Sequence, residues 1–202
     1  MAVLVFGVVC KAQITTLPLY SSEDYEDGVD IYYKDTFNDF DNYTGTWEYV
    51  NGTTSLRIVF EKKLLYHDAF DNNYRDLLIG EYRYIENGVE KINTLPLLTN
   101  PPLDLIEHTI VGSSIIGNDN FPICSDCSNG QKRVVLSFED PLRNNVEGLF
   151  GNLIVRRVGA GSVQQIKIEL RQRGNILVID NIPPLYSSFN VPWGEYTLTK
   201  VQ

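Results

Sequence analysis

From residue 45 onward apolar and polar side chains alternate with a period of two, the spacing of a strand that buries one face. In residues 53–64, Leu56, Ile58 and Phe60 alternate with Arg57 and Glu61, so one face is predicted to be core and the other solvent. Residues 76–86 repeat the pattern, with Leu78, Gly80, Tyr82 and Tyr84 opposing Glu81 and Arg83. Asn51-Gly52 joins the first of these runs to a strand at residues 45–50, and Asn87-Gly88 turns the second into residues 89–94. Asn and Gly tolerate the positive φ that tight hairpin turns require, so both pairs predict antiparallel hairpins. A connection containing Pro96, Pro101 and Pro102 follows. Beyond it, strands are expected at residues 108–116, 132–139, 146–157, 164–172, 176–179 and 195–201. In 132–139, Val134, Leu136 and Phe138 point inward; in 164–172, Ile166, Ile168 and Leu170 alternate with Gln165, Lys167, Glu169 and Arg171. Gly159-Ala160-Gly161-Ser162 reads as a hairpin turn, since no helix follows it to make a phosphate site.

Eight to ten short strands and almost no helix predict an all-β fold. Consecutive hairpins that each keep a polar face describe one meandering antiparallel sheet, and closing it into a barrel removes its exposed edges. Ahead of the sheet, Tyr33, Phe37 and Phe40 recur at helical spacing and predict one short amphipathic turn packed over its end. Residues 13–32 form a polar, acidic arm carrying Glu23, Asp24, Glu26 and Asp27, whose spacing does not match a calcium loop. Residues 1–12 read differently: an uncharged apolar run to Cys10, then Lys11 and Ala12, as in a secretory signal cleaved after a small residue. The missing basic start suggests that the signal begins further upstream. The expected organisation is therefore a signal at 1–12, the arm at 13–32 and a single barrel domain at 33–202.

Composition narrows the functions. The 202 residues suit one domain, and 43% hydrophobic with 21% charged residues is ordinary for a globular chain. A net charge of −9 repels phosphate backbones and anionic lipid, so nucleic acid and bilayer surfaces are poor partners. No run after the signal is long enough for a membrane-spanning helix. Signal cleavage removes Cys10 and leaves the pair Cys124 and Cys127, for which a local disulfide is the simplest state in an oxidising compartment. Zinc would need two further ligands, and the two histidines, His67 and His108, stand far off; a redox pair would need a helix at the first cysteine.

The segment Asp41-Asn42-Tyr43-Thr44-Gly45-Thr46-Trp47 resembles the first motif of the lipocalins and related calycins. That resemblance implies that Gly45 and Trp47 close one end of an eight-stranded barrel. Four longer stretches are similar to an uncharacterised family of exported proteins from flavobacterium-like Bacteroidetes. They are Tyr33-Lys34-Asp35 through Gly45-Thr46-Trp47, Phe60-Glu61-Lys62-Lys63, Asp76-Leu77-Leu78-Ile79-Gly80-Glu81-Tyr82, and Phe189-Asn190-Val191-Pro192 to the C-terminus. The resemblance implies export, to the periplasm, the cell surface or the medium of a Gram-negative bacterium, and a barrel-like fold, with no activity attached.

Catalytic chemistry is sparse. There is no Gly-x-Ser-x-Gly, and a Ser-His-Asp arrangement has only His67 and His108 to draw on. Asp68, Asp71 and Asp76 gather around Asn72-Asn73 in what reads as a long hairpin loop; a glycosidase-like pair or a cation site there is the sharper alternative to plain solubility. The expectation is thus a protein that is not an enzyme and takes no cofactor or metal. It binds a small apolar or aromatic ligand inside the barrel through Leu56, Ile58, Phe60, Tyr82, Tyr84, Leu136 and Phe138. The alternative is an envelope-associated structural or interaction module, because the same bulky residues could fill a small barrel solid. A protein partner is not named by any motif.

Overall fold

The computed structural model describes residues 14–19, 31–159, 162–178 and 182–201. The expected signal, most of the acidic arm and the middle of the Gly159–Ser162 turn lie outside the described residues. Among the described residues eleven strands run in chain order: β1 (Thr15–Pro18), β2 (Ile31–Lys34), β3 (Gly45–Asn51), β4 (Thr54–Asp68), β5 (Asn73–Glu86), β6 (Val89–Asn93), β7 (Ile110–Ile116), β8 (Arg133–Phe138), β9 (Phe150–Val158), β10 (Gln165–Arg173) and β11 (Gly194–Val201). Short 3₁₀ turns lie at Asp39–Asn42, Leu95–Leu98 and Leu105–Glu107.

The hydrogen-bonded order β5-β4-β3-β11-β10-β9-β8-β7 returns to β5, because Gly80 pairs Ile110 and Leu78 pairs Gly112. Eight antiparallel strands therefore close into a lipocalin-like barrel with no free edge along the circuit. Strand β5 is longer than the barrel is tall. Below the β7 contact it pairs with β2, which carries β1 in parallel, and above it with β6.

The alternation foreseen for β4, β5, β8 and β10 sets the core. Leu56, Ile58, Leu78, Tyr82, Val134, Leu136, Ile166 and Ile168 are buried in one cluster with Trp47, Leu153 and Leu198. Glycine makes room for aromatic rings in it: a Cβ on Gly151 would stand 2.5 Å from the Phe189 ring.

Several local expectations are corrected. Tyr33 belongs to a strand rather than a helical turn, and the turn comes later, at Asp39–Asn42, where the buried Asp35 carboxylate accepts the Asp39 and Phe40 amides. Asn51 ends β3, so the first turn is Gly52-Thr53, one residue late; at Asn87-Gly88 both residues take positive φ as expected. Strand β9 starts at Phe150 because residues 139–149 form a loop, and residues 176–178 are irregular. Asp76 lies in β5, not in a loop. Its buried carboxylate accepts the Tyr32 hydroxyl (2.5 Å) and the Asp35 (3.0 Å) and Leu65 (3.1 Å) amides, which ties β2 to the bulge in β4.

Candidate functional site

At one end of the barrel Trp47 is fully buried and its Nε1 donates to the Tyr43 carbonyl at 2.5 Å. The Lys200 ammonium sits 5.3 Å and the Arg157 guanidinium 6.0 Å from the indole ring, and Arg157 donates to the Asn42 carbonyl. Gly45, at φ 104°, starts β3 in a conformation that side chains resist. Gly45 and Trp47 thus stand at the start of β3, with the indole buried at that end of the barrel.

The seven residues expected to face a ligand do point into the barrel and lie together. Leu56, Ile58 and Tyr82 have no exposed surface, Phe60, Leu136 and Phe138 keep 1%, and Tyr84 keeps 3%. A void that admits water would leave part of these side chains uncovered, so in this conformation they pack on one another. Tyr82 and Phe138 stack at 4.6 Å between ring centroids.

The stack continues to the opposite end, the mouth, where Phe189 lies 5.6 Å from Phe138 and 4.8 Å from Trp193. Ahead of β11 the chain folds inward there at residues 189–191, and Phe189 and Val191 close the mouth from within. It is latched to the β8–β9 loop. The buried Asp140 carboxylate accepts the backbone (2.6 Å) and side-chain (2.9 Å) amides of Asn190, and Arg143 donates to the Ser188 carbonyl at 2.5 Å.

Between latch and loop is a recess of about 380 Å³, lined by Val146, Gly148, Leu149, Phe150 and Phe189, with Glu139, Asp140, Asn144, Asn145 and Glu147 among its polar groups. One wall is pinned where Leu177 donates its amide to the Glu147 carbonyl at 3.0 Å. Gly148 has φ 80°, and a Cβ there would come within 2.2 Å of the Asn175 carbonyl oxygen, so only glycine fits. An apolar floor with a few polar groups at the rim, in this range of volume, is the usual make-up of a small-molecule site.

None of the mouth residues was singled out from the sequence. Part of the β8–β9 loop carries the pattern of a strand, and the one signal at the mouth is the Phe189-Asn190-Val191-Pro192 stretch, which bears a resemblance and no role.

On the outside of the barrel Cys124 and Cys127 form a disulfide, S–S 2.01 Å. The two histidines are far apart in role: His67 packs against Tyr74 at the β4–β5 hairpin, while His108 is buried with its Nδ1 2.7 Å from Glu81. Asp68 and Asp71 both pair with Arg75, which neutralises part of the acidic hairpin.

A closed eight-stranded antiparallel barrel, with Phe189 and Val191 packed into one end and a buried tryptophan at the other, has the architecture of the lipocalin-like β-barrels. Within that class the chain belongs to a family of unknown function (DUF6705), whose model matches residues 1–201. That is the kind of uncharacterised family that the four matching stretches implied. No curated protein and no solved structure matches the chain.

Proposed function

We propose that this protein is an exported, non-catalytic binder of a small apolar or aromatic ligand, and that the ligand sits in the mouth recess above the packed barrel interior. The observation that carries this reading is the recess itself: about 380 Å³, floored by Phe189, Leu149 and Val146. The seven interior residues then act as a rigid base, passing support through Phe138 to Phe189, rather than as ligand contacts. Binding is favoured over catalysis because the His108 imidazole, paired with Glu81, has a side chain only 1% exposed, out of reach of a substrate. Export is supported by the disulfide, which persists in oxidising compartments, and by the apolar run at residues 1–10. No helix among the described residues is long and apolar enough to cross a membrane.

The test is titration with N-phenyl-1-naphthylamine, a neutral apolar fluorophore, followed by its fluorescence. Saturable binding is expected, weakened at least tenfold by Asn145→Trp, which fills the recess from its rim, and unchanged by Leu56→Ala deep in the barrel. Absence of saturable binding, or loss with Leu56→Ala alone, overturns the site. A second reading, an interaction module with a filled barrel, draws on the exposed Leu142, Leu177, Ile182 and Leu185 near the same mouth. It gains ground if the fluorophore does not bind.

A further inference from the structure

The connection between β7 and β8, residues 117–132, turns back along the outside of the barrel. Arg133 holds it there, donating to the carbonyls of Pro122 (2.6 Å), Gly117 (2.7 Å) and Asn120 (2.9 Å). Beneath the loop is a second, polar recess of about 200 Å³, bounded by outward side chains of β9 and β10. It has no residue in common with the mouth recess.

Four cations line it, Arg133, Arg156, Lys167 and Arg171, in a chain that has 17 lysines and arginines against 26 acids. Two of the carboxylates that face them come from the barrel wall: Glu195 pairs with Lys167 at 2.8 Å and Glu169 lies 3.5 Å from Arg171. The third comes from the loop. Asp126 stands between the bridged cysteines with its side chain 63% exposed, yet its carboxylate pairs with Arg156 and lies 3.6 Å from Lys167. Desolvation of that carboxyl is outweighed by Arg156 and Lys167 together, which hold it below the usual carboxylate range. The disulfide thus fixes a short peptide so that one acid projects onto two bases.

One buried donor of this cluster has no partner. The Arg133 side chain lies against the recess, and its Nε is buried with no hydrogen-bond partner. Buried donors are nearly always satisfied, so an orphan beside a cavity points to something that can occupy the cavity and accept from it.

We propose that this recess is a binding site for a small carboxylate, held by Arg156, Lys167 and the Arg133 Nε–H, and that Asp126 is the chain's own occupant of its outer half. A guanidinium matches a planar carboxylate with two parallel hydrogen bonds, and the occupant already present is a carboxylate. The volume equals roughly seven waters at about 30 Å³ each, space for an acid of a few carbons. Binding exchanges Asp126 for the ligand, so the loop opens as the site fills.

Succinate is the probe, titrated at low ionic strength into the full chain and followed by NMR at the arginine Nε–H groups and the amides of residues 117–132. Asp126→Asn removes the competitor and is expected to bind succinate at least tenfold more tightly than the unaltered protein, with a shift at the Arg133 Nε–H. Adding Lys167→Gln, at a surface position, is expected to cancel the gain. An ordinary structural ion pair predicts otherwise: Asp126→Asn would loosen the loop and bind nothing. The proposal is overturned if Asp126→Asn binds no more tightly, if Lys167→Gln has no effect, or if inorganic phosphate binds as well as succinate.

Discussion

The residues that decide local structure here are buried polar ones. Glu81 illustrates the limit of a two-residue period. The alternation correctly turns it away from the core, but the connection between β6 and β7 covers it and leaves it no exposed surface. Its carboxylate is shared among His108 Nδ1 (2.7 Å), the Thr109 hydroxyl (2.6 Å) and the Thr109 amide (3.3 Å), and the Thr109 hydroxyl meets that of Thr94 at 3.3 Å. Removing one partner of such a group leaves the other desolvated, which typically costs about 3 kcal/mol or more. His108→Leu is therefore expected to lower unfolding free energy in urea by about 3 kcal/mol. The double variant His108→Leu/Glu81→Leu should recover part of that loss; a single variant as stable as the parent would show the pair to be idle.

Elements outside the barrel are held by side chains that reach over from it. The β7–β8 loop has two fasteners, the disulfide and Arg133, and they differ in strength. A cross-link closing so short a loop restricts the unfolded chain little, about 2 kcal/mol by chain entropy. Arg133 satisfies three loop carbonyls from a residue 2% exposed. Replacing Cys124 and Cys127 by Ser is expected to cost about 2 kcal/mol or less. Arg133→Leu, which strands those carbonyls, should cost more and speed amide exchange across residues 117–132. Equal losses in the two variants would mean that the cross-link carries more than its loop length allows. The mouth segment follows the same logic, with Asp140 and Arg143 gripping Ser188 and Asn190 from the β8–β9 loop.

At the scale of the whole molecule the packing of the fold shows itself through its tyrosines, inside the barrel at Tyr82 and under the β6–β7 connection at Tyr66. Burial, with a hydrogen bond to Asp104 added, pushes the Tyr66 phenol up to about 12, and burial raises Tyr196 to about 12. Tyr82 and Tyr43 are displaced upward further, again chiefly by burial. A phenol whose folded pKa lies above its unfolded value stabilises the fold fully below the unfolded value, near 10, and loses that contribution as pH rises toward the folded one. Stability should therefore fall steeply between about pH 10 and pH 12. Of the 12 tyrosines, the buried ones should ionise only together with loss of near-ultraviolet circular dichroism. Independent titration of all of them in a still-folded protein would contradict a packed interior.

The inside of the barrel is legible in the sequence alone. Alternation in β4, β5, β8 and β10 names which side chains face inward, because that period is a property of the strand backbone and needs no partner to read. The Asn87-Gly88 turn and the antiparallel pairing follow from equally local chemistry. Whether the interior is hollow depends on tertiary contacts, since Phe189 and Val191, 51 and 53 residues beyond Phe138 in the chain, fill the mouth, a contact that no local period encodes. Tertiary contacts likewise decide that Glu81 is covered, that Asp76 binds strands instead of ornamenting a loop, and that Asp126 meets Arg156 and Lys167. Each of these depends on a loop returning to a surface made by other strands. Loops return where orphaned carbonyls and carboxylates find donors, and those donors are assembled only once the barrel has closed.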